Sequence, residues 1–360
     1  MTRISGKTTD GQEDGVAAVK RAGYCDIPLY SSPRERDEVD LSDNTNLWGA
    51  PPSALRSLRA TAEETVTRYP VAFEPALREA VADYAGVSPD MIVAGCGSDD
   101  VLDSAIRAYG EPGEALCLPA PSFSMIPVYA RTNGLVPVEV PLDARLDADS
   151  KAMVETGARI TYLCSPNNPT GGAFSRESVE RVVWGAAGLV IIDQAYAEFG
   201  GESFIDLVSI GRPVLVTRTL SKAFGLAGLR IGYGIGSPEL VREIMKARGP
   251  YKVNALAERA AIAALEKDQH WVAAHVADVL ANRARFRQEL ALRRISSLPS
   301  AANFVLLPVK DCASVSSQLH RLGIGVRALP YLPGIGDALR IGIGPWKMME
   351  RCLDALGEIA

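Results

Sequence analysis

The sequence predicts an α/β protein with a large domain, whose mainly parallel sheet is flanked by helices, and a smaller α+β domain. At 360 residues the chain exceeds the size at which one hydrophobic core usually keeps growing. From about residue 75 to 250, short apolar runs alternate with amphipathic stretches, which is typical of parallel strands covered by helices on both faces. After Ser296 the pattern changes, which indicates a second, compact domain.

Six apolar runs are predicted to be buried strands: Met91–Ala94, Ala115–Leu118, Ile160–Cys164, Leu189–Ile192, Val214–Val216 and Ile231–Ile235. Amphipathic helices are clearest at Asp99–Tyr109 and Ser175–Ala187, where apolar residues recur at helical spacing. A sheet of this kind presents its ligand site at the carboxyl ends of the strands.

The chain from about residue 254 onward is predicted to connect the large domain to the smaller domain and then to form the smaller domain. A helical segment at 254–292, broken once, leads into two strands, two helices and an irregular loop, in the order Asn303–Pro308, Ser314–Leu322, Leu329–Asp337 (the loop), Leu339–Ile343 and Lys347–Ile359. We therefore assign 1–54 to an N-terminal arm and part of the small domain, 55–265 to the large domain, and 266–360 to the C-terminal small domain.

Composition excludes several classes of partner. A formal net charge of −5 leaves no basic field suited to nucleic acid or anionic membranes. No apolar run approaches membrane-spanning length, and Met1–Gly15 lacks the apolar core of a signal peptide, so we expect a cytoplasmic protein. The six cysteines show no metal-ligand spacing, and we expect no metal site.

The strongest chemical signal is the stretch Thr219–Gly232, directly after a predicted strand. A partly desolvated lysine near other cations, as Lys222 would be, has a lowered pKa and can act as a Schiff-base nucleophile. The hydroxyls of Thr219 and Ser221 and the guanidinium of Arg230 suit an anionic phosphate. Taken alone, Lys222 would more simply be a solvated loop residue.

Three further strand ends carry polar residues. Asp193 ends an apolar strand, where a buried carboxylate needs a cation such as a protonated pyridine nitrogen. Asn168, in the turn Ser165–Gly171, can donate to a phenolate oxygen. Gly95–Asp99 passes from a strand into a helix, whose free amides can seat a phosphate. Taken alone, Asp193 would fit a helix cap and Asn168 a plain turn. Gly95–Asp99 alone would fit the start of a dinucleotide-binding fold.

Together these segments resemble the fold-type I pyridoxal-phosphate (PLP) enzymes, and most closely the histidinol-phosphate aminotransferase subgroup of the class I/II aminotransferases. The family pattern Ser-Lys-x-x-x-x-x-Gly-x-Arg is matched by Ser221, Lys222, Gly228 and Arg230. Its Ser-Pro-Asn-Asn-Pro-Thr-Gly motif is matched without change at Ser165–Gly171. The resemblance implies the PLP-dependent transferase fold type I, PLP as cofactor in the large domain, and transfer of an amino group.

The resemblance also implies residue roles. Lys222 would hold the cofactor and move the proton, with Asp193 at the ring nitrogen and with Asn168 and Tyr196 at the ring hydroxyl. The phosphate would be surrounded by residues of the helix start and the lysine loop: Gly97, Ser98, Asp99, Ser221 and Arg230.

Other family features are fainter. Tyr69, in Arg68-Tyr69-Pro70, resembles a tyrosine that reaches the neighbouring subunit's site, which implies a homodimer with shared active sites. Phe123 stands where the family usually has a tyrosine stacked on the ring; stacking survives this change, but the hydroxyl is lost. Arg340, with Arg327 as a second candidate, resembles the arginine that clamps a substrate anion. A surface ion pair is the alternative for both arginines.

Departures from the family leave the amino donor open. Asn44-Thr45-Asn46-Leu47 replaces the usual Asn-Glu-Asn-Pro, and we assign Asn46 to the substrate site. Tyr30 aligns loosely with a substrate-phosphate contact. Gln194 replaces an acid after Asp193, which predicts one charge fewer near the ring. The donor is expected to be histidinol-phosphate-like or aromatic, and the acceptor to be a 2-oxo acid such as 2-oxoglutarate.

Three other functions stay open from the sequence. A decarboxylase resembling threonine-phosphate decarboxylase shares the motifs. A PLP-binding protein that has lost turnover would also keep them. A nicotinamide oxidoreductase built around Gly95-Cys96-Gly97 is disfavoured, because the third glycine and a ribose-binding acid are missing.

Overall fold

The computed structural model describes residues 37–359, together with Tyr24, Ile27 and Leu29. Its strands are β1 (Val39–Asp40), β2 (Ile92–Cys96), β3 (Ala115–Ala120), β4 (Val136–Pro141), β5 (Ile160–Cys164), β6 (Leu189–Asp193), β7 (Val214–Thr219), β8 (Ile231–Ile235), β9 (Phe304–Pro308), β10 (Ile324–Gly325), β11 (Arg327–Leu332) and β12 (Gly336–Gly342). Its α-helices are α1 (Pro52–Arg59), α2 (Glu63–Thr67), α3 (Pro75–Ala85), α4 (Gly97–Tyr109), α5 (Ile126–Thr132), α6 (Ser150–Glu155), α7 (Arg176–Gly185), α8 (Pro238–Ala247), α9 (Ala255–Lys267), α10 (Gln269–Leu292), α11 (Cys312–Arg321) and α12 (Trp346–Ile359).

The large sheet has the order β2-β8-β7-β6-β5-β3-β4. Strand β8 pairs antiparallel with both neighbours, and the other pairs are parallel, so the predicted mainly parallel sheet is confirmed. Every residue of β5 and β6 is buried. Burial on both faces explains why these strands are continuous apolar runs in the sequence.

Strand β4 was not predicted from the sequence. It contains Pro137, Glu139 and Pro141, which obscure an apolar pattern. It pairs only with β3, at the edge of the sheet, where prolines are tolerated because one side of the strand needs no partner.

The smaller sheet has the antiparallel order β11-β12-β9, and β1 pairs with β10 beside it. The predicted irregular loop Leu329–Asp337 is wrong, because most of it belongs to a hairpin of β11 and β12. Strand β11 is an edge strand whose register shifts between Leu329 and Leu332. An edge strand with a register shift can contain a proline such as Pro330, because it does not need every backbone hydrogen bond. The proline makes the strand hard to recognise in the sequence.

The predicted break in the long helical segment is confirmed. Helices α9 and α10 are separated at Asp268, a buried residue whose carboxylate accepts hydrogen bonds from the Ser53 amide (2.8 Å) and the Ser53 hydroxyl (2.7 Å). These bonds tie the start of α1 to the junction between the two long helices.

The sheets fall inside the predicted segments: the large sheet spans 92–235, and the small sheet spans 304–342. The pairing of β1 with β10 places part of segment 1–54 against the C-terminal part. The domain boundaries themselves, and the cytoplasmic location, stay predictions. In the described part of the chain, no helix is both long and apolar enough to cross a membrane. Residues 37–359 also contain no cluster of three or more potential metal ligands.

One ion pair is fully buried. The Arg248 Nη2 and Glu74 Oε1 atoms are 3.1 Å apart, and the two side chains are 1% and 0% exposed. The Val253 amide donates a further hydrogen bond to Glu74, at 3.4 Å. The pair joins the start of α3 to the segment that follows α8.

Removing one member of this pair should leave a buried charge without a partner. We expect Glu74→Ala to lower the free energy of unfolding by about 3–5 kcal/mol, measured by guanidinium denaturation. The exposed pair of Lys246 and Glu243 is the control, and Glu243→Ala should cost less than about 1 kcal/mol. Similar denaturation midpoints for the two variants would contradict the expected role of the buried pair.

Candidate active site

A cavity of about 700 Å³ lies at the carboxyl ends of β5, β6 and β7, beside the start of α4 and the β11–β12 hairpin. It brings together most residues singled out in the sequence. The predicted residues in its wall are Ser98, Asp99, Phe123, Asn168, Asp193, Tyr196, Thr219, Ser221, Lys222, Arg230, Arg327 and Arg340.

Lys222 follows the end of β7 and projects its amine into this wall. Its Nζ donates to the Asp43 carbonyl oxygen at 3.1 Å and lies 5.9 Å from the centre of the Tyr196 ring. Burial, reinforced by the positive charge of Arg340, lowers the pKa of Lys222 to about 8. A substantial fraction of the amine is therefore neutral near physiological pH, as a nucleophile or proton carrier requires.

Asp193 ends β6 and is buried. The Tyr162 hydroxyl donates to its Oδ2 at 2.9 Å, and the Ala195 amide donates to its Oδ1 at 3.1 Å. Among residues 37–359, no lysine or arginine forms an ion pair with it, and burial raises its pKa to about 6. A buried carboxylate that faces a cavity without a cation fits a ligand bearing a protonated ring nitrogen.

Tyr162 was missed by the sequence analysis. Its only signal is a phenol in the middle of a buried strand, and the pairing of β5 with β6 is what brings it to Asp193. Burial and the adjacent Asp193 charge raise the pKa of Tyr162, so the hydroxyl stays protonated and acts as the donor.

The start of α4 forms a narrow cup. Gly97 has a φ of +80°, and a Cβ there would lie 2.5 Å from Arg230 Nη2. A Cβ on Gly232 would lie 2.0 Å from the Ser98 amide nitrogen. Both positions therefore require glycine, and the close approach leaves the first amides of the 13-residue helix next to a guanidinium. This arrangement fits a phosphate group.

Side chains complete the cup. Arg230 Nη2 lies 2.9 Å from Asp99 Oδ2, so this acid orients the guanidinium. The hydroxyl oxygens of Thr219 and Ser221 are 3.0 Å apart. Arg230 itself has a φ of +55°, a strained conformation for a non-glycine residue that places its side chain beside the helix start. The predicted phosphate-binding residues thus lie together.

Tyr196 and Asn168 also line the cavity. The Asn44 amide donates to the Tyr196 hydroxyl at 3.2 Å, and burial raises the pKa of Tyr196 to about 12. The phenol therefore stays protonated. Asn168 Oδ1 accepts from Arg340 Nη1 at 2.8 Å, which leaves its amide group as a donor toward the cavity.

The structure places Asn46 outside the cavity wall, whereas Asn44 is part of it. Asn46 donates to the Ala223 carbonyl at 2.9 Å and accepts from the Trp48 amide at 2.9 Å, so it supports the loop that follows Lys222. Asn44 was missed because its φ of +54° turns the chain, and the sequence does not show which of the two asparagines then faces inward.

Gln194 does not line the cavity either. Its side chain is buried on the other side of the strand end, where it accepts from Arg218 at 3.1 Å and donates to the Glu202 carbonyl at 2.7 Å. The expectation that this glutamine removes a charge beside the ring site is therefore wrong, because successive residues at the end of β6 face opposite ways.

Arg327 and Arg340 lie opposite each other on β11 and β12, and both line the cavity. Arg340 is oriented by Asn168 and by the Ser42 carbonyl, to which its Nη2 donates at 2.7 Å. Two neighbouring guanidinium groups are well suited to a carboxylate or a phosphate ester.

Three predicted site residues remain: Phe123, Tyr69 and Tyr30. Phe123 lines the cavity as expected for a stacking residue. Tyr69 lies outside it, is 84% exposed, and stacks on Tyr251 with ring centres 4.9 Å apart. Tyr30 lies outside the described residues.

The fold and site define a class of transferase, and a family comparison identifies it. The model of the family "Aminotransferase class I and II" matches residues 36–356. The chain therefore belongs to the class I and II aminotransferases, whose cofactor is PLP.

Individual relatives match the chain over most of its length. The chain is 35% identical over 343 residues to the histidinol-phosphate aminotransferase of Desulfitobacterium hafniense, covering 92% of this chain and 95% of the relative. It is 37% identical over 335 residues to that of Roseiflexus castenholzii, covering 89% and 90%. The crystal structure of histidinol-phosphate aminotransferase from Sinorhizobium meliloti in complex with PLP matches with a TM-score of 0.84 and 27% identity, covering 92% and 95%. The predicted fold class and the predicted enzyme class, a PLP-dependent aminotransferase, are confirmed.

The electrostatic control of Lys222 is testable in the cofactor-free protein. Reaction of Lys222 with acetic anhydride, followed by mass spectrometry, should increase through a midpoint near pH 8, because only the neutral amine reacts. Since the charge of Arg340 lowers this pKa, Arg340→Met should move the midpoint to higher pH. The labelling profile of the exposed Lys246 is the control and should be the same in both proteins. An unchanged or lower Lys222 midpoint in the variant would rule out this coupling.

Proposed function

We propose that this chain binds PLP in the cavity and transfers an amino group from a donor with an anionic group to a 2-oxo acid such as 2-oxoglutarate. The observation that carries the proposal is the meeting of Lys222, a lysine of lowered pKa, with Asp193, a buried acid without a cation, in one cavity that also contains a phosphate cup. When bound, PLP would supply the electron sink and the amino-group carrier.

Each part of the cavity suits one part of that cofactor. The amides of Gly97–Asp99, with Thr219, Ser221 and Arg230, would hold the phosphate. Asp193 would bind the ring nitrogen, and Asn168 and Tyr196 the ring hydroxyl. Phe123 would stack on the ring, giving contact area without a hydroxyl group.

Lys222 is the proposed proton carrier at the donor's α-carbon. A pKa of about 8 keeps its protonated and neutral forms close to balance at working pH, which favours both removing and returning a proton. Tyr196 lies beside it, and its hydroxyl is held by the Asn44 amide at 3.2 Å.

The arginines support an anionic donor. Arg340 is held by Asn168 and Ser42, and Arg327 lies across the hairpin, so one anion can contact both. The relatives are named histidinol-phosphate aminotransferases, and we therefore propose histidinol phosphate as the first donor to test.

A single-turnover experiment with the PLP-loaded enzyme tests the proposal. Loss of the visible absorbance of the lysine-bound cofactor should be fastest with histidinol phosphate, compared with histidine and phenylalanine, and should yield the corresponding carbonyl product. Lys222→Ala should lose the covalent attachment and slow turnover by at least about 10²–10⁴-fold, because the nucleophile and proton carrier are removed together. Lys246→Ala, at an exposed ion pair, is the matched control.

Two outcomes would contradict the proposal. Release of carbon dioxide from an acid donor, without a keto product, would indicate a decarboxylase. A protein that binds PLP but leaves all three donors unchanged would indicate a silent cofactor-binding protein.

We also propose a homodimer with shared active sites. Tyr69 stacks on Tyr251, which is 48% exposed, and the nearby sequence adds two further exposed apolar residues, Val66 (69%) and Val71 (67%). Exposed apolar side chains that group together are typical of an interaction surface. In a dimer, Tyr69 would reach the partner's cavity.

Complementation between two inactive variants tests the shared site. Tyr69→Ala and Lys222→Ala should each reduce activity, but a mixed dimer contains one site with Lys222 from one chain and Tyr69 from the other. After the mixture is unfolded and refolded, each mixed dimer should therefore have up to about half of the activity of a wild-type dimer, because one of its two symmetry-related sites is intact. A mixture of Tyr69→Ala with itself is the control. Mixed dimers as inactive as the parents would show that each chain uses its own residues.

A further inference from the structure

A tyrosine outside the cavity wall contacts the acid that the proposed function places at the ring nitrogen. Tyr162 lies in the middle of β5, is fully buried, and does not line the cavity. Its ring belongs to an apolar cluster that includes Leu102, Leu118 and Ile126. A phenol hydroxyl in such surroundings costs free energy unless it forms a hydrogen bond, and this one donates to Asp193 Oδ2 at 2.9 Å.

The pairing of β5 with β6 fixes this contact. Cys164 lies opposite Asp193 in the register, and Tyr162, two residues earlier on β5, faces the same side of the sheet. The other carboxylate oxygen, Asp193 Oδ1, accepts from the Ala195 amide at 3.1 Å. Each oxygen of the carboxylate therefore has one protein donor, and the orientation of the group is set before a ligand binds.

The hydrogen bond also selects the charge of the carboxylate. A phenol donates its one proton to an ionised carboxylate, whereas a protonated carboxyl group would bring a second proton to the same contact. Burial raises the pKa of Asp193 to about 6, and the bond from Tyr162 is the largest of the effects that oppose this rise. Ala195 and Thr217 act in the same sense as Tyr162, and the charge of Asp99 acts in the opposite sense. Without the Tyr162 hydroxyl, the pKa of Asp193 would rise further.

Two other ionisable side chains near Asp193 do not replace this donor. Burial raises the pKa of Cys164 and of Tyr196, so the thiol and the phenol stay protonated and carry no charge. The Cys164 thiol donates instead to the Pro166 carbonyl, at 3.3 Å. The charge of the buried acid therefore depends mainly on Tyr162.

We infer that Tyr162 is a positioning residue that holds the Asp193 carboxylate ionised and oriented for a cationic ring nitrogen in the cavity. The inference rests on the proposed function and adds to it a residue that touches neither the cofactor nor the donor. The hydroxyl acts on the ligand only through Asp193. A phenylalanine at this position would fill the same space in the apolar cluster but would leave Oδ2 without its donor.

The charge of Asp193 can be titrated in the cofactor-free protein. The infrared carbonyl band of its protonated carboxyl group, assigned with Asp193→Asn, should disappear with a midpoint near pH 6 in the wild type. Tyr162→Phe should raise this midpoint by about 1–2 pH units, because a hydrogen bond to the ionised form is lost. Tyr233→Phe is the matched control. It removes the hydroxyl of another buried tyrosine of the large sheet, outside the cavity wall, and should leave the midpoint unchanged.

Ligand binding tests whether this charge serves the ring nitrogen. Calorimetry compares pyridoxamine phosphate with its 1-deaza analogue, in which carbon replaces the ring nitrogen; neither probe needs an aldehyde for attachment to Lys222. Only the ionised carboxylate pairs with the protonated nitrogen. Tyr162→Phe should therefore weaken binding of pyridoxamine phosphate relative to the analogue by about 5- to 50-fold near pH 6, and by less as the pH rises. Tyr233→Phe should leave the ratio of the two dissociation constants unchanged.

The outcomes separate this inference from the proposed function. An Asp193 midpoint that is the same in Tyr162→Phe and the wild type would overturn the role of Tyr162 and leave the aminotransferase proposal intact. An equal loss of affinity for both probes would do the same, because it would indicate a general packing defect. A wild type that binds neither probe would overturn the PLP site and this inference together.

Discussion

The buried carboxylate of Asp193 is the constraint around which the site is built. Its two hydrogen bonds, from Tyr162 and Ala195, offset part of the cost of burial but supply no positive charge. Because its pKa is raised to about 6 in the folded chain, the group favours folding at low pH, and this contribution is lost as the pH rises through that value. A protonated ring nitrogen would remove the cost in the ionised range. Binding of such a cofactor would therefore also relieve this buried charge.

The topology explains how a single cavity collects residues from distant segments. Strands β5, β6 and β7 are adjacent and parallel, so the turns after Cys164, Asp193 and Thr219 meet at the same edge of the sheet. Other parts of the lining come from elsewhere, with Asp43 and Asn44 from the N-terminal segment and Arg340 from the small sheet. The groups proposed for the cofactor thus lie at or next to the large sheet, and the groups proposed for the donor lie on parts that this sheet does not contain.

The same topology explains which parts of the fold and of the candidate site could be predicted from the sequence. Strand-end residues such as Lys222 and Asp193 were predictable, because apolar runs locate the strands and parallel strands end together. The hairpin at Leu329–Asp337 was not, because an edge strand with a proline and a register shift lacks the apolar periodicity of a buried one. Tyr162 was missed for a different reason. It acts through the neighbouring strand, and strand order is not visible in a local pattern.

Two charged residues of the cavity, Arg340 and Asp43, act on the basicity of Lys222. Arg340 lowers the pKa of the lysine through space, and under the proposed function the same guanidinium would hold the donor's anionic group. An anion bound to Arg340 offsets that positive charge, so the amine becomes a stronger base when the correct donor is present. The charge of Asp43 acts in the same direction, because it raises the pKa of Lys222. The charges of Arg340 and Asp43 therefore have opposing effects on the pKa of Lys222, and their balance sets the basicity of the amine.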